Sequence, residues 1–293
     1  DTHRMGRWRM GTPEEVASIS RDEMIDYYNK LYTPDNSIIV IVGDVETEAV
    51  FTGIEQYYGD WNPDEIEINF SEQEPDQDGL RRKILYGDLK QPYIFMGYKT
   101  PGIVAKDAAI LDALSFILAN GKDSRLNKKL IEELHLAGYV KCEQYSLQDL
   151  GIFHIEIHPV TDDILKIERE VISELKTIME YGVSDHELKR AVNKLESKYL
   201  FGREKAADMA ETLAMFEQYN GYDYADEYLR LIREVSIVDI RNAASKYLPV
   251  SKCSIIEYMP KDVNRDEISN DEYSTMLTDA LEINPPEYEE DVK

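Results

Sequence analysis

A chain of 293 residues and 33.9 kDa is about twice the length of an ordinary domain, so two domains, or one and a half, are expected. Its net charge of −25, with no basic block to offset it, argues against nucleic acid and anionic membrane as partners. Hydrophobic residues make up 43% of the chain and fall in periodic segments, which argues against disorder.

The first dozen residues are basic and lack the apolar core of a signal peptide, and the chain opens on Asp1 rather than Met. The expectation is that a natural N-terminus was removed or that this is an excised piece. Thr12-Pro-Glu-Glu15 reads as a helix start, with Thr12 as N-cap, Pro13 at the first helical position and Glu15 closing a capping box. Ser20-Arg-Asp-Glu23 repeats the signal and opens a helix carrying Met24, Tyr27, Tyr28 and Leu31, which Tyr32-Thr-Pro34 stops. The β-branched run 37–43 predicts an interior strand covered on both faces, and Gly43-Asp44 turns the chain into a helix over 46–58. From 62 to 79 the composition shifts to Pro, Asn, Gln and acid, a linker holding at most a short edge strand at 66–70.

Strands are predicted at 82–85 and 93–98, then a helix over 105–119 with Ile110, Leu111, Leu114, Ile117 and Leu118 as one stripe, ended by Asn120-Gly121. A shorter helix over 124–134 precedes antiparallel strands at 139–146 and 152–158. Thr161 is the expected cap of a helix to about 180, and the box Ser184-Asp-His-Glu187 opens a helix whose pattern persists to about 219. Two shorter helices, a strand at 253–258 and an acidic tail over 261–293, expected to be largely unpacked, complete the chain. Together these elements define an α+β protein with antiparallel sheets and long helices packed on one face.

One internal similarity bears on domain organisation. Residues 20–42 run helix, Tyr32-Thr-Pro34, polar gap, Ser37-Ile-Ile39; residues 236–258 run helix, Tyr247-Leu-Pro249, polar gap, Ser254-Ile-Ile256. The expectation is that the chain holds the ends of two related domains but the body of only one.

The search for chemistry yields no nucleophile motif, no phosphate-cradling glycine loop and no His-x-x-Glu-His or His-Glu-x-x-His. Cys142 and Cys253 lack metal-ligand spacing, and no apolar run approaches the roughly 18 residues of a membrane span. Of the five histidines, His186 lies in a capping box and His135 follows a helix end. His154, Glu156 and His158 share one strand face, with Phe153, Ile155 and Ile157 on the other. Alternate strand positions stand ~6.5–7 Å apart, too far for neighbours to share one ion without bending. A polar open face is the preferred reading of this triplet; a self-contained metal-binding domain is the alternative.

The block Tyr32-Thr-Pro-Asp-Asn-Ser-Ile-Ile-Val-Ile-Val-Gly-Asp44, preceded by Gly11-Thr-Pro-Glu-Glu15 and followed by Gln56-Tyr-Tyr-Gly-Asp-Trp61, resembles a block of the pitrilysin/insulinase zinc metallopeptidases, the family that includes mitochondrial processing peptidase. Asp107 with Leu118-Ala-Asn-Gly121 and Asp123-Ser-Arg-Leu126, then Leu136-Ala-Gly-Tyr139 and Gly182-Val-Ser-Asp-His-Glu-Leu188, continue the likeness in order, over about 11–260. The resemblance implies the processing-peptidase/LuxS-like metallohydrolase fold, with 1–61 as the C-terminal part of a first peptidase-like domain, 62–79 as linker, 80–260 as a complete second, non-catalytic domain and 261–293 as tail or connector. It implies that the zinc motif lies upstream or in a partner, so that this chain holds no catalytic residue and no metal and shapes a chamber for peptides. An inactive scaffold or peptide-binding member of the family is the alternative. The family's substrate clamp, an Arg and a Tyr seven positions apart, maps onto Tyr139 with a one-residue shift, whereas the Arg position falls on Ile131 or Glu132, neither of which donates to an oxyanion.

Overall fold

Three capping boxes open helices where the sequence places them, at Thr12, Ser20 and Ser184, in a computed structural model that describes residues 6, 8–61, 74–281 and 283. At each, the hydroxyl accepts from the backbone N–H three residues on and the glutamate there accepts from the cap's own N–H, which satisfies two orphan donors at once. The short strand considered at 66–70 lies outside the described residues. By packing, the chain divides into two units, Asp1–Asp76 with Arg203–Tyr222, and Gln77–Gly202 with Asp223–Lys293.

The first unit holds α1 (Pro13–Ser18), α2 (Arg21–Leu31), α3 (Thr47–Tyr58) and, later in the chain, α7 (Ala206–Asn220). None of α1, α2 or α3 buries a side chain. The interior strand expected at 37–43 is not formed: these residues have no ladder partner among the described residues, and Ile38, Ile39 and Ile41 are about half exposed. A strand exists only through its neighbours, and the apolar run finds none among the described residues. It lines, with Val45, Phe51, Ile54 and Leu213, an apolar cavity of about 400 Å³.

The second unit is built on one five-stranded sheet of β1 (Arg81–Gly87), β2 (Tyr93–Thr100), β3 (Ala137–Ser146), β4 (Gly151–Pro159) and β5 (Cys253–Pro260), in the order β1-β5-β2-β4-β3. Every pairing is antiparallel except β1 with β5, which run parallel with Arg82 opposite Ile255. The last strand of the unit thus inserts between its first two. One sheet face is dry: Ile94, Met96 and Tyr98, Phe153, Ile155 and Ile157, and Val140 and Cys142 are all buried.

Helices cover that face. These are α4 (Lys106–Ala119), α5 (Ile164–Tyr181), α6 (Asp185–Phe201), α8 (Tyr224–Arg233), α9 (Ile237–Tyr247) and α10 (Asn270–Thr278). Rather than showing one stripe, α4 is buried nearly all round, between the sheet and α6, α8 and α9. Ala108, Ala109, Ala113 and Ser115 allow this, because small side chains let outer helices close on its back. The single long helix expected from 184 breaks after α6, where Gly202 forms the cap, since a glycine inside a helix costs about 1 kcal/mol. The helix α5 is capped by Asp163, whose carboxylate accepts from Lys166 N, and not by Thr161, whose hydroxyl accepts from Asp163 N instead. The tail is packed as far as α10, where Tyr273 and Leu277 are buried.

The first turn of α4 and the end of α9 are joined at Asp107, which accepts from Lys246 Nζ at 2.7 Å and Tyr247 Oη at 2.6 Å. Burial alone would raise the Asp107 carboxyl, but these bonds and the Lys246 charge prevail and hold it below the usual carboxylate range. An acid with a lowered folded-state pKa stabilises above its unfolded pKa and loses that contribution as pH falls through the folded one. Acid titration of stability, followed by circular dichroism, should therefore be shallower in Asp107→Asn than in the parent chain. The difference should be about 0.5–1 kcal/mol, because the pair is solvent-screened.

Candidate peptide-contact face

The opposite face of the sheet carries no helix of this unit among the described residues. Side-chain alternation assigns its members: Tyr93, Phe95, Gly97 and Lys99 from β2, Tyr139, Lys141, Glu143 and Tyr145 from β3, Ile152, His154, Glu156 and His158 from β4, and Ser254, Ile256 and Tyr258 from β5. Tyr139, Tyr145 and Ile256 are 42%, 50% and 40% exposed, more apolar surface than a solvated sheet face needs.

Register brings these residues into two groups. At one end Tyr93 pairs with Tyr258 and Tyr139 with His158, and the His158 ring lies between Tyr93 at 4.6 Å and Tyr139 at 4.7 Å, centroid to centroid. Glu156 Oε1 stands 2.7 Å from His158 Nε2 and fixes the ring. At the centre Gly97 faces His154 on one side and Ser254 on the other. A Cβ there would meet nothing closer than 3.9 Å, so packing does not require the glycine, and its effect is to bare the backbone of a central strand.

The three residues His154, Glu156 and His158 share the face as the alternation predicts, but they do not converge. His158 is engaged by Glu156, while His154 Nε2 lies 3.8 Å from Glu143, whose carboxylate also holds Lys141 Nζ at 2.9 Å. Among the described residues no group of three such side chains could hold a metal ion. The donor set does not fit zinc, because one imidazole nitrogen is spent on a neighbouring carboxylate and the other ring is directed elsewhere. Partial burial lowers the His154 imidazole below its ordinary value, with Glu143 pulling it back and Lys141 adding to the fall.

Tyr139 projects from an irregular corner. The expected helix over 124–134 is a π-helical turn at Asn127–Glu133, followed by His135 at φ 53° and a break in the β3–β4 register between Ala137 and Tyr139. A π-turn accommodates one extra residue, the size of the offset at which Tyr139 meets the resemblance. Ile131 packs against the core, and Glu132 is exposed. Sequence reasoning found β4 but missed Tyr93, Phe95 and Tyr258. The alternation of β2 was visible, but which strands would flank it was not.

The second unit is thus an α+β domain whose sheet has one helix-covered face and one bare, aromatic-rich face. The comparisons make this specific: the chain belongs to the M16 peptidase family, the model of the Peptidase M16 inactive domain matching residues 18–195. It is 24% identical over 256 residues to the zinc protease PqqE of Helicobacter pylori, covering 86% of this chain and 57% of that protein. It is 24% identical to an uncharacterized zinc protease of Rickettsia felis, over 83% of this chain and 58% of that one. Among solved structures it resembles a peptidase M16 inactive domain from Pseudomonas fluorescens, with TM-score 0.73 at 20% identity, over 88% of this chain and 61% of the other. The chain thus spans a little under three fifths of the length of these curated relatives.

Proposed function

We propose that this chain is the non-catalytic, chamber-forming part of a pitrilysin-type zinc metalloendopeptidase that degrades or processes peptides. In this reading 1–61 end a first domain, 62–79 link, and 80–260 form the complete second domain. A His-x-x-Glu-His domain, in the same polypeptide or a partner subunit, supplies zinc and hydroxide. The observation that carries the reading is the bare face of the second unit. Its aromatic and apolar side chains suit an extended peptide, Gly97 leaves a shallow place at the centre of the face where a peptide side chain can lie, and Tyr139 at the corner contacts the substrate. The internal similarity lends support: α9, a 3₁₀ turn at Val250–Lys252 and β5 follow in the same order as α2, a 3₁₀ turn at Pro34–Asn36 and the run after it, which pairs with no strand among the described residues.

The test is reconstitution. The isolated chain should bind no stoichiometric zinc and cleave no peptide, while its mixture with the His-x-x-Glu-His domain should give cleavage that a chelator abolishes. Cleavage by the isolated chain would overturn the proposal. A second reading, an inactive scaffold, is favoured by Ile131 and Glu132 at the clamp's Arg position. It requires the complete assembly to bind peptides yet remain inert with added zinc.

A further inference from the structure

The helix-covered side of the sheet holds a polar cluster that the proposed function does not use. Glu168 of α5 and Glu257 of β5 are both wholly buried and both meet Tyr273 of α10. The two carboxylates are treated unequally. Arg82 Nε from β1 donates to Glu257 Oε1 at 2.5 Å and Arg265 Nε, from the segment before α10, to Glu257 Oε2 at 2.7 Å. Glu168 contacts no cation directly: its Oε2 meets only the Tyr273 hydroxyl, and its Oε1 has no partner among the described residues. From β5, Cys253 completes the ionisable surroundings of Glu168, and α9 adds to this layer only Ile240, Ala243 and Ala244.

Both guanidinium groups are spent on Glu257, whereas Glu168 is wholly buried with no direct cation contact and an Oε1 that finds no partner among the described residues, so Glu257 is the acid that stays ionised and Glu168 the one that keeps its proton. A protonated Glu168 donates to Tyr273 Oη, which is then free to donate on to Glu257 Oε1 at 3.3 Å. The chain of donors runs from the uncharged acid to the charged one. When the proton leaves to solvent, Tyr273 must turn its hydrogen to Glu168, its link to Glu257 is lost, and a second buried anion stands beside the first.

Tyr273 belongs to the segment over 261–281, and this cluster supplies the polar contacts at its centre. Arg82 N donates to Asn270 Oδ1 at 3.1 Å, its guanidinium lies 4.0 Å over the Tyr273 ring, and its Nη1 donates to Asp266 O. Beyond them Arg169, donating to Met276 O and Asp279 O, the buried Leu277, and Val263, Ile268 and Leu281 packed in part on the core add to its hold. We propose that residues 261–281 are a proton-gated strap, docked while Glu168 carries a proton and released when Glu168 loses it, baring β1 at Arg82. This inference is independent of any peptidase role.

Burial, and next the charge of Glu257, push the Glu168 carboxyl up to about 8. A group whose pKa is raised on docking binds its proton more tightly in the docked form. Docking is therefore strongest below the ordinary carboxylate range, weakens as pH rises, and has lost its proton-linked part above about 8.

Hydrogen exchange of the intact chain, corrected for the intrinsic pH dependence, tests this. Protection of 261–281 should fall at least about tenfold between roughly pH 6 and pH 9.5 while that of β4 holds, and Glu168→Gln should keep the strap protected throughout. Equal strap protection at both pH values in the parent chain, or loss in Glu168→Gln at the parent's pH, would overturn the proposal. Infrared spectroscopy serves even if Glu168→Gln fails to fold. Because burial also pushes Asp112 up to about 7, the band is read in Asp112→Asn: a protonated carboxylic acid should be present at the lower pH and vanish on the same curve as strap protection, and its absence at the lower pH would equally overturn the inference.

Discussion

Replacing Glu257 with alanine is expected to destabilise the second unit by about 3–5 kcal/mol. The cost lies less in the lost pair than in what remains. Arg82 and Arg265 side chains are 5% and 17% exposed, so removal of the carboxylate leaves two guanidinium groups facing each other with little water to replace it. Exchanging Glu257, Arg82 and Arg265 together for apolar residues of matching volume should cost far less, because no uncompensated charge is then buried. Urea denaturation distinguishes the units: both tryptophans, Trp8 and Trp61, lie in the first, so fluorescence reports on it alone while far-ultraviolet circular dichroism follows the whole chain. A loss below about 1 kcal/mol in Glu257→Ala would mean that the arginines reach solvent and the cluster is a surface network.

What the sequence revealed of this architecture follows the range over which each feature is determined. Capping boxes at Thr12, Ser20 and Ser184 were legible because all their partners lie within three residues. The two faces of β4 were legible because alternation is a property of one strand. The insertion of β5 between β1 and β2, parallel to the former, was not, since Gly87 and Cys253 stand 166 positions apart and nothing local records the pairing. For the same reason the sequence did not place Tyr93 and Tyr139 beside His158, which they reach only through register. In the tail, Tyr273 and Leu277 stand four positions apart on one helix face, but the surrounding acidic residues hid that signal. Glu257 was the most informative residue passed over. An acid at a core-facing position between Ile255 and Met259 of β5 requires a buried cation, and that cation can arrive only from another segment of the chain.

Phe153→Ala and His154→Ala, adjacent on β4, should differ sharply in cost. Phe153 is wholly buried on the helix-covered face, opposite Tyr98 in β2 and Gln144 in β3, and its truncation leaves a cavity that the flanking strands cannot close without breaking their ladders. A loss of about 3–5 kcal/mol is expected. His154 lies on the bare face, 3.8 Å from Glu143 at its nearest charged neighbour, and its truncation should cost less than about 1 kcal/mol. Chemical denaturation of the two variants side by side therefore measures the asymmetry of the sheet. Equal losses would mean that the bare face is covered in the folded chain and is not available to a peptide. If the losses differ as expected, residues of that face, Tyr139 and His158 among them, can be changed without unfolding the domain, and any weakening of peptide binding in a reconstituted assembly can be assigned to contact with the peptide itself.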